Sequence, residues 1–395
     1  MDYQNDVVDP GDRFSALMRQ VCLNSHHNSP AANIFIGDGG MRAMDGFRWK
    51  THILEGMLAE TLYEAPQADG AGGKPQFFTF LNDPDAFYKL GWEIITMNAD
   101  DMACRGGFPV FMLSSIVDVK SITNENWHLC EALVQGFEVA LRQSGLILMT
   151  GETAIMKHSI TAFCDTGSAS QLIITWNGTC HGLAAETSLG KPKQIQPGMK
   201  IIGFKDEGYR CNGGTQFTEI INRIWGHDAV RVRNPDAVDF VRKLTAPSQS
   251  YARTISRLNG WNADGNCSAP PVTLHGVAHI TGGGVWSKLG DILPEGVGAN
   301  LHSMPEPTQV LREAQELSRQ AGIPMSDQDC YGTFHGGCGL LLICEEKDAG
   351  RILHEATQDG HDAYVVGETF TSPESQIMIT SRFANGGLLS SSDRP

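Results

Sequence analysis

Residues 276–286 read GVAHITGGGVW: an apolar run, a threonine, three consecutive glycines, and an immediate return to valine and tryptophan. Three glycines lose more backbone entropy on folding than any other triplet, so a chain that carries them needs positive φ or close approach of something to the backbone. The pattern predicts a strand ending near Ile280, a tight turn at TGGG, and a helix starting in VWSKLGDIL. Such a turn offers free backbone N–H groups to an anion such as phosphate. A turn packed under a neighbouring strand explains the same residues equally well.

The same two periods recur along the chain. Cys130, Leu133, Val134, Phe137 and Leu141 repeat at helical spacing up to Gly145, and LILMT behind them predicts a buried strand. MKIIGF predicts another strand, and Phe217, Ile220, Ile221, Ile224 and Trp225 a second amphipathic helix. Thr308 is placed to cap a helix that Gly322 closes, and GLLLIC and AYVVGETF predict strands around a helix near 348–357. Strands alternating with helices favour α/β or α+β layers. At 395 residues the chain predicts two domains, with the boundary in the Gly-, Pro- and Lys-containing stretch 182–198, hence 1–190 and 191–395. PQADGAGGKP, residues 66–75, reads as a glycine-rich loop, and GGLLSSSDRP at the end as a fraying tail.

Composition narrows the function classes. A formal net charge of -15 opposes binding to phosphate backbones, so nucleic acid is not an expected partner. No run approaches the eighteen or so uncharged apolar residues that a membrane span needs, and MDYQNDVVDPGDRF has neither a basic n-region nor an apolar h-region. A cytoplasmic protein without a membrane partner is expected. The ten cysteines stand singly, with no C-x-x-C pair, which predicts reduced thiols rather than a zinc ribbon.

Three further stretches can carry chemistry. In MNADDMACRGGFP, residues 97–109, Asp100 and Asp101 follow the strand-like WEIIT; such carboxylates suit Mg²⁺, which takes one or two of them and completes its shell with waters and phosphates. Helix capping or plain solvation is the alternative. In LMTGETAIM, residues 148–156, Glu152 stands on a short turn after a buried strand, where it can join Asp101 on a metal or belong to a cap with Thr153. TFHGGCG, residues 333–339, is either a ligand loop or a device for close backbone packing. Isolated histidines such as His279 and His335 are more often satisfied core residues than catalysts.

Taken in order, DYQNDVVD, MNADDMACRGGFPVFML, SGLILMTGETA, GYRCNGG, APSQSY, GVAHITGGGVW and YGTFHGGCGLLL make the chain resemble the aminoimidazole ribonucleotide (AIR) synthetase family, phosphoribosylformylglycinamidine cyclo-ligase. The resemblance implies a two-domain α/β (α+β) fold: an N-terminal domain whose four-stranded sheet pairs with a second copy's to form a dimeric barrel, and a C-terminal α/β domain. It implies ATP and Mg²⁺ as cofactors, a small phosphorylated substrate and a homodimer. The implied reaction closes the imidazole ring of formylglycinamidine ribonucleotide in purine biosynthesis, ATP converting the formyl amide oxygen into a leaving group.

Residue by residue, the resemblance places Asp101 and Glu152 at the metal and nucleotide site, Asn212 and Gly213 in a loop lining the cleft, and Thr281, Gly282, Gly283 and Gly284 at a ligand loop. The family's D-G-V-G-T-K stretch is matched to NDPDAFYKL, residues 82–90, with Asp83 or Asp85 as its carboxylate, Asp83 as a further metal ligand, and Lys89 as its lysine. Arg210 replaces a family histidine at a catalytic place, where an arginine cannot shuttle protons. Gln4, Gln249 and His335 replace other ligand-facing residues. These departures keep open a non-catalytic or regulatory relative, or an ATP-dependent phosphotransferase acting on another small molecule.

Overall fold

A computed structural model describes residues 10–35, 46–49, 62–185 and 194–393. Among the described residues, strands β1 (Ala32–Phe35) and β2 (Gly46–Trp49) pair only with each other. The first large sheet comes from residues 62–185: β3 (Leu62–Gly70), β4 (Gly107–Val119), β5 (Ile147–Leu148), β6 (Glu152–Ile155) and β7 (Ile174–Ala185), in the order β3-β7-β4-β5. Both β5 and β6 run parallel to β4, on successive stretches of one edge, so five strands make the four rows expected.

Helices α1 (Pro10–Ser25), α2 (Pro75–Leu81), α3 (Pro84–Cys104) and α4 (Trp127–Ser144) belong to this half. The alternation in β7 shows which face they cover: Trp176, Gly178 and Cys180 are buried, while Asn177 points away. Helix α3 packs on α4 and on β3, β7 and β4, and its far side meets the second half of the chain.

That second half is built on a seven-stranded mixed sheet, β14-β13-β10-β12-β8-β11-β9. Its strands are β8 (Lys200–Lys205), β9 (Leu274–His279), β10 (Val297–Leu301), β11 (Cys338–Cys344), β12 (Ala363–Thr371), β13 (Ile377–Thr380) and β14 (Leu388–Ser390). Every residue of β11 is buried, which is why its sequence is a continuous apolar run rather than an alternation. Around the sheet lie α5 (Gly214–Trp225), α6 (Pro235–Leu244), α7 (Ala252–Leu258), α8 (Gly284–Gly290), α9 (Gln309–Gln320), α10 (Asp327–Gly332) and α11 (Glu346–Gln358). Thr308 caps α9 by accepting from the Leu311 N–H, a contact typically contributing about 1 kcal/mol. One hydrophobic cluster runs through both halves, from Phe14 to Phe383.

Three local expectations are corrected. WEIIT is not a strand; it lies inside α3, whose buried residues include Ile94, Ile95, Met97 and Asp100. Enclosed by the first sheet, α4 and the second half, this helix is apolar nearly all round, and its short apolar run imitates a buried strand. The stretch 66–75 is not wholly a loop, because Pro66–Gly70 completes β3; Pro66 is tolerated since β3 is an edge strand. The tail is not free either: Leu388, Leu389 and Ser390 pair with Thr380, Ile379 and Met378. All ten cysteines lie outside disulfide bridges, and among the described residues no helix is long and apolar enough to cross a membrane.

Candidate functional site at the seam of the two halves

Where the end of β3 meets the second half, a cleft of about 300 Å³ opens. Asp69, Gly70, Gly72, Met97 and Asn177 line it from the first half, and Cys211, Asn212 and Thr281 from the second. Asn98 of α3 pins the strand end in place, accepting from the Asp69 N–H at 3.0 Å and donating to the Asp69 carbonyl at 3.2 Å. At Gly72 φ is +54°, and a Cβ there would stand 2.5 Å from the Cys211 carbonyl oxygen, so the two halves approach with bare backbone.

One carboxylate, Asp69, lines this cleft, and a second, Asp101, acts on it. Burial raises the Asp69 carboxyl above its ordinary value, and the nearby Asp101 charge raises it further against the pull of the Gly70 N–H, His279 and Lys288. For Asp101 burial acts upward too, but the His279 hydrogen bond, with the charges of Arg105 and Lys288, outweighs it and holds the carboxyl low. His279 Nδ1 lies 2.6 Å from Asp101 Oδ1, and Gln67 Nε2 donates to Asp101 Oδ2 at 2.9 Å.

Behind them runs a buried polar network joining the halves. The Arg210 guanidinium bonds the Asp100 carboxylate at 3.0 Å, the Asp206 carboxylate, the Gln249 carbonyl at 2.8 Å and His279 Nε2. Asp100 also accepts from Ser250 Oγ and from the Tyr251 and Ala252 N–H groups at 2.8–2.9 Å. Arg210 and Cys211 are both in the left-handed region, at φ +58° and +62°, a conformation that a turn of non-glycine residues holds only when its surroundings enforce it. A second knot is formed by Lys74, whose Nζ donates to Glu93 Oε1 and to the Ala246 carbonyl, both at 2.8 Å; Ser248 closes onto the other Glu93 oxygen.

His335 is held by both ring nitrogens, Nε2–H donating to the Gly208 carbonyl at 2.7 Å and Nδ1 accepting from the Gly337 N–H at 3.1 Å. Protonation would place a second proton against the Gly337 donor. Burial accordingly lowers the His335 pKa from the ordinary 6.5. A group whose folded pKa is depressed in this way binds its proton more readily once unfolded, so its stabilisation is present above pH 6.5 and is lost progressively below it. Stability should fall by up to about 1.4 kcal/mol per pH unit below that point for this group. Urea titrations at about pH 7.5 and about pH 5.5, on either side of the free-histidine value, check this. His335→Gln should show a smaller acid loss than the unaltered chain, and an equal loss would contradict the assignment.

The expected site residues meet different fates. Asp101 does not line the cleft but lies near enough to Asp69, which does, for its charge to act there, and Asn212 and Thr281 line the cleft itself. Asn212 Nδ2 donates to the Arg210 carbonyl, and Gly282 faces the Asn212 side chain. Gly213 begins α5 at φ +81°, packed on Phe334. The triple glycine is split in purpose. At Gly284, where φ is +60°, a Cβ would stand only 2.2 Å from the Tyr331 carbonyl oxygen, whereas Gly282 and Gly283 are exposed. Gln249 turns toward His361, and Gln4 lies outside the described residues.

Asp83, Asp85 and Lys89 are not in the cleft. Asp83 caps α3 by accepting from the Ala86 N–H and pairs with Arg242 at 3.2 Å; Asp85 and Lys89 belong to the first turns of the same helix. At 1.5 Å per residue, Asp83 stands roughly 27 Å along the axis from Asp101, too far to share a metal. Glu152 also fails to join Asp101. Gly70, Asn177, Ile116 and Glu152 face one another in register across β3, β7, β4 and β6, so Glu152 is exposed on the face opposite the helices, three strand spacings or roughly 14 Å from Gly70. Arg210 is about 1% exposed and bonded through both terminal nitrogens, a tie between the halves rather than a group that reaches a substrate.

The glycine-rich stretch is not missing. Asp69–Lys74 reads D-G-A-G-G-K, four of six residues of the D-G-V-G-T-K pattern, at the end of β3. The pattern therefore belongs here and not at 82–90, and Asp69 is the site residue that the sequence reading misses, although its signal stands in the sequence.

Residues 57–184 match the model for the N-terminal domain of AIR synthase related proteins, and residues 264–380 the model for their C-terminal domain. The chain belongs to the AIR synthase family. It is 27% identical over 375 residues to the phosphoribosylformylglycinamidine cyclo-ligase of Synechococcus sp. (strain CC9902), covering 94% of this chain and 96% of that protein. The corresponding protein of Geotalea daltonii is 24% identical over 91% of this chain and 92% of its own length. The same architecture occurs in thiamine-monophosphate kinase from Stenotrophomonas maltophilia (TM-score 0.54, 15% identity, 94% and 96% of the two chains). It occurs also in the E. coli hydrogenase maturation protein HypE (TM-score 0.52, 15% identity, 95% and 96%). These two likenesses establish the fold.

Proposed function

We propose that this chain is an ATP- and Mg²⁺-dependent enzyme of the AIR synthase family that works at the seam cleft, and that its reaction is closure of formylglycinamidine ribonucleotide to aminoimidazole ribonucleotide. The observation that carries the site is the meeting of Asp69 and the bare backbone at Gly72 with Asn212 and Thr281, with Asp101 near enough for its charge to act on Asp69. The cyclo-ligase names of relatives spanning nine-tenths of the chain support the reaction.

The residues present fit such a cofactor. Among the described residues no group of three or more His, Cys, Asp or Glu side chains forms an all-protein cage for a metal. Mg²⁺ does not need one, since two carboxylates plus waters and phosphates suffice; Asp69 and Asp101 supply that pair. Bound there, Mg²⁺ and ATP would supply the phosphoryl group that makes an amide oxygen a leaving group and the charge that stabilises its transfer. The chain's own part is to orient and exclude. Asn98 fixes Asp69, His279 and Gln67 fix Asp101, and the Gly72 contact with Cys211 closes one side of the cleft.

The uncovered face of the first sheet, where Ile116 is 39% exposed and Glu152 lies beside it in register, is where we place the second copy of a homodimer. Ile116→Asp should convert the dimer to monomer in sedimentation velocity at micromolar concentration. A dimer that survives this change would place the interface elsewhere.

A second reading has one observation in its favour: Lys74, the lysine of the D-G-A-G-G-K stretch, is sealed against Glu93 rather than open to a ligand. A non-catalytic relative would have such a lysine. Supplying formylglycinamidine ribonucleotide, ATP and Mg²⁺ and following ADP and the imidazole product separates the cases. Both products support the cyclo-ligase, ADP with a different acceptor supports a phosphotransferase, and no nucleotide binding at all supports the non-catalytic relative.

A further inference from the structure

We infer that His279 is a positioning residue for Asp101, held in one tautomer by Arg210; this rests on the reading of the seam cleft as the metal and nucleotide site. A guanidinium has five N–H donors and no acceptor, so the Arg210 contact with His279 Nε2 requires that nitrogen to offer its lone pair. The single proton of the neutral ring is then on Nδ1, which lies 2.6 Å from Asp101 Oδ1 and donates to it.

Arg210 is itself fixed, anchored on Asp100 and Asp206 and almost wholly buried, so the ring cannot turn without breaking two buried contacts. A closed circuit results: Asp100 and Asp101 on the last turn of α3, His279 at the end of β9, and Arg210 in the turn before α5. With Gln67 donating to Oδ2, each Asp101 oxygen is oriented by one hydrogen bond and keeps a lone pair for a cation. Hydrogen bonds of this kind behind a metal-binding carboxylate set its orientation, and their loss typically weakens metal binding about 10- to 100-fold. Because Nε2 is occupied by Arg210, His279 has no free lone pair with which to take a proton from a substrate. Its service is orientation, supplied from the second half of the chain to a carboxylate of the first.

The test compares two amides. In His279→Asn the amide nitrogen stands near the Nδ1 position and can still donate to Asp101; in His279→Gln the amide reaches toward the Nε2 position and serves Arg210 instead. The Mg²⁺ concentration for half-maximal ATP turnover should rise about 10- to 100-fold in His279→Gln and return to within a few-fold in His279→Asn. The KM for ATP at saturating Mg²⁺ should change little in either. Equal Mg²⁺ requirements in both variants and the unaltered chain would overturn the inference.

A second readout needs no ligand. Long-range ¹H–¹⁵N spectra of the unaltered protein should show His279 with a protonated Nδ1 and a bare Nε2, and the opposite tautomer would also overturn it. If the unaltered chain shows no Mg²⁺-dependent nucleotide binding, it is the reading of the cleft that fails. The tautomer signature then decides the hydrogen-bond circuit by itself.

Discussion

Arg210→Met should destabilise the folded chain by about 3–5 kcal/mol, the cost of leaving buried carboxylates without their counter-ion. Asp100 and Asp206 are both fully buried and both face this guanidinium. Burial alone would push the Asp206 carboxyl up, yet Arg210 holds it below its ordinary value, so the charge stays in the interior only because its partner does. Without Arg210, Asp100 keeps Ser250 Oγ and two backbone N–H groups, and Asp206 keeps Gly208 N–H and Tyr251 Oη. None of these carries a full positive charge.

Adding Asp206→Asn to Arg210→Met should recover part of the loss by removing one uncompensated charge, whereas Asp206→Asn alone should destabilise. Equilibrium urea unfolding of the four proteins gives the cycle. A loss under about 1 kcal/mol in Arg210→Met would mean that the network is dispensable. Hydrophobic burial through the shared core would then be what joins the halves.

The second large effect is on activity. Asp101→Asn and Asp69→Asn should each lower Mg²⁺-dependent ATP turnover about 100-fold or more, since a bound metal contributes several kcal/mol of charge stabilisation and each factor of ten is about 1.4 kcal/mol. Both variants keep the side-chain shape. The amide oxygen introduced at position 101 can still accept from His279, and the one at position 69 from the Gly70 N–H, so folding should be little affected. Steady-state ADP release with Mg²⁺ varied from micromolar to tens of millimolar is the measurement. Rates within about threefold of the unaltered chain in both variants, a change worth well under 1.4 kcal/mol, would remove these carboxylates from the site.

Much of this architecture is legible in local pattern. The periodicities of Cys130–Leu141, Phe217–Trp225 and GLLLIC correspond to α4, α5 and β11, because each element has one clear core-facing stripe or is buried throughout. WEIIT misleads for the opposite reason: α3 is enclosed by both halves, and a helix wanted by two cores loses the polar face that marks a helix. The site is less legible than the fold. Asp100 and Asp101 are neighbours in sequence, but one turns inward to Arg210 and the other toward His279, a division set by which side of the last helical turn each occupies. Asp83 and Glu152 have the right chemistry in the wrong place, a cap at the far end of the helix and an outer sheet face. Asp69 is hidden in a stretch whose glycines suggest a loop, although it completes a strand. Spacing along the chain says nothing of these distances; they follow from how α3 lies between the two sheets.

The most direct test of the account is where a metal–nucleotide complex sits. With ¹³C-methyl-labelled methionines, Met97 lines the cleft, whereas Met325, buried near the start of α10, does not. Adding Mn²⁺ in place of Mg²⁺ together with a non-hydrolysable ATP analogue should broaden the Met97 methyl signal strongly and leave that of Met325 sharp. A Met97 signal that stays sharp at saturating nucleotide, while methyls remote from the seam broaden, would contradict the assignment of the cleft.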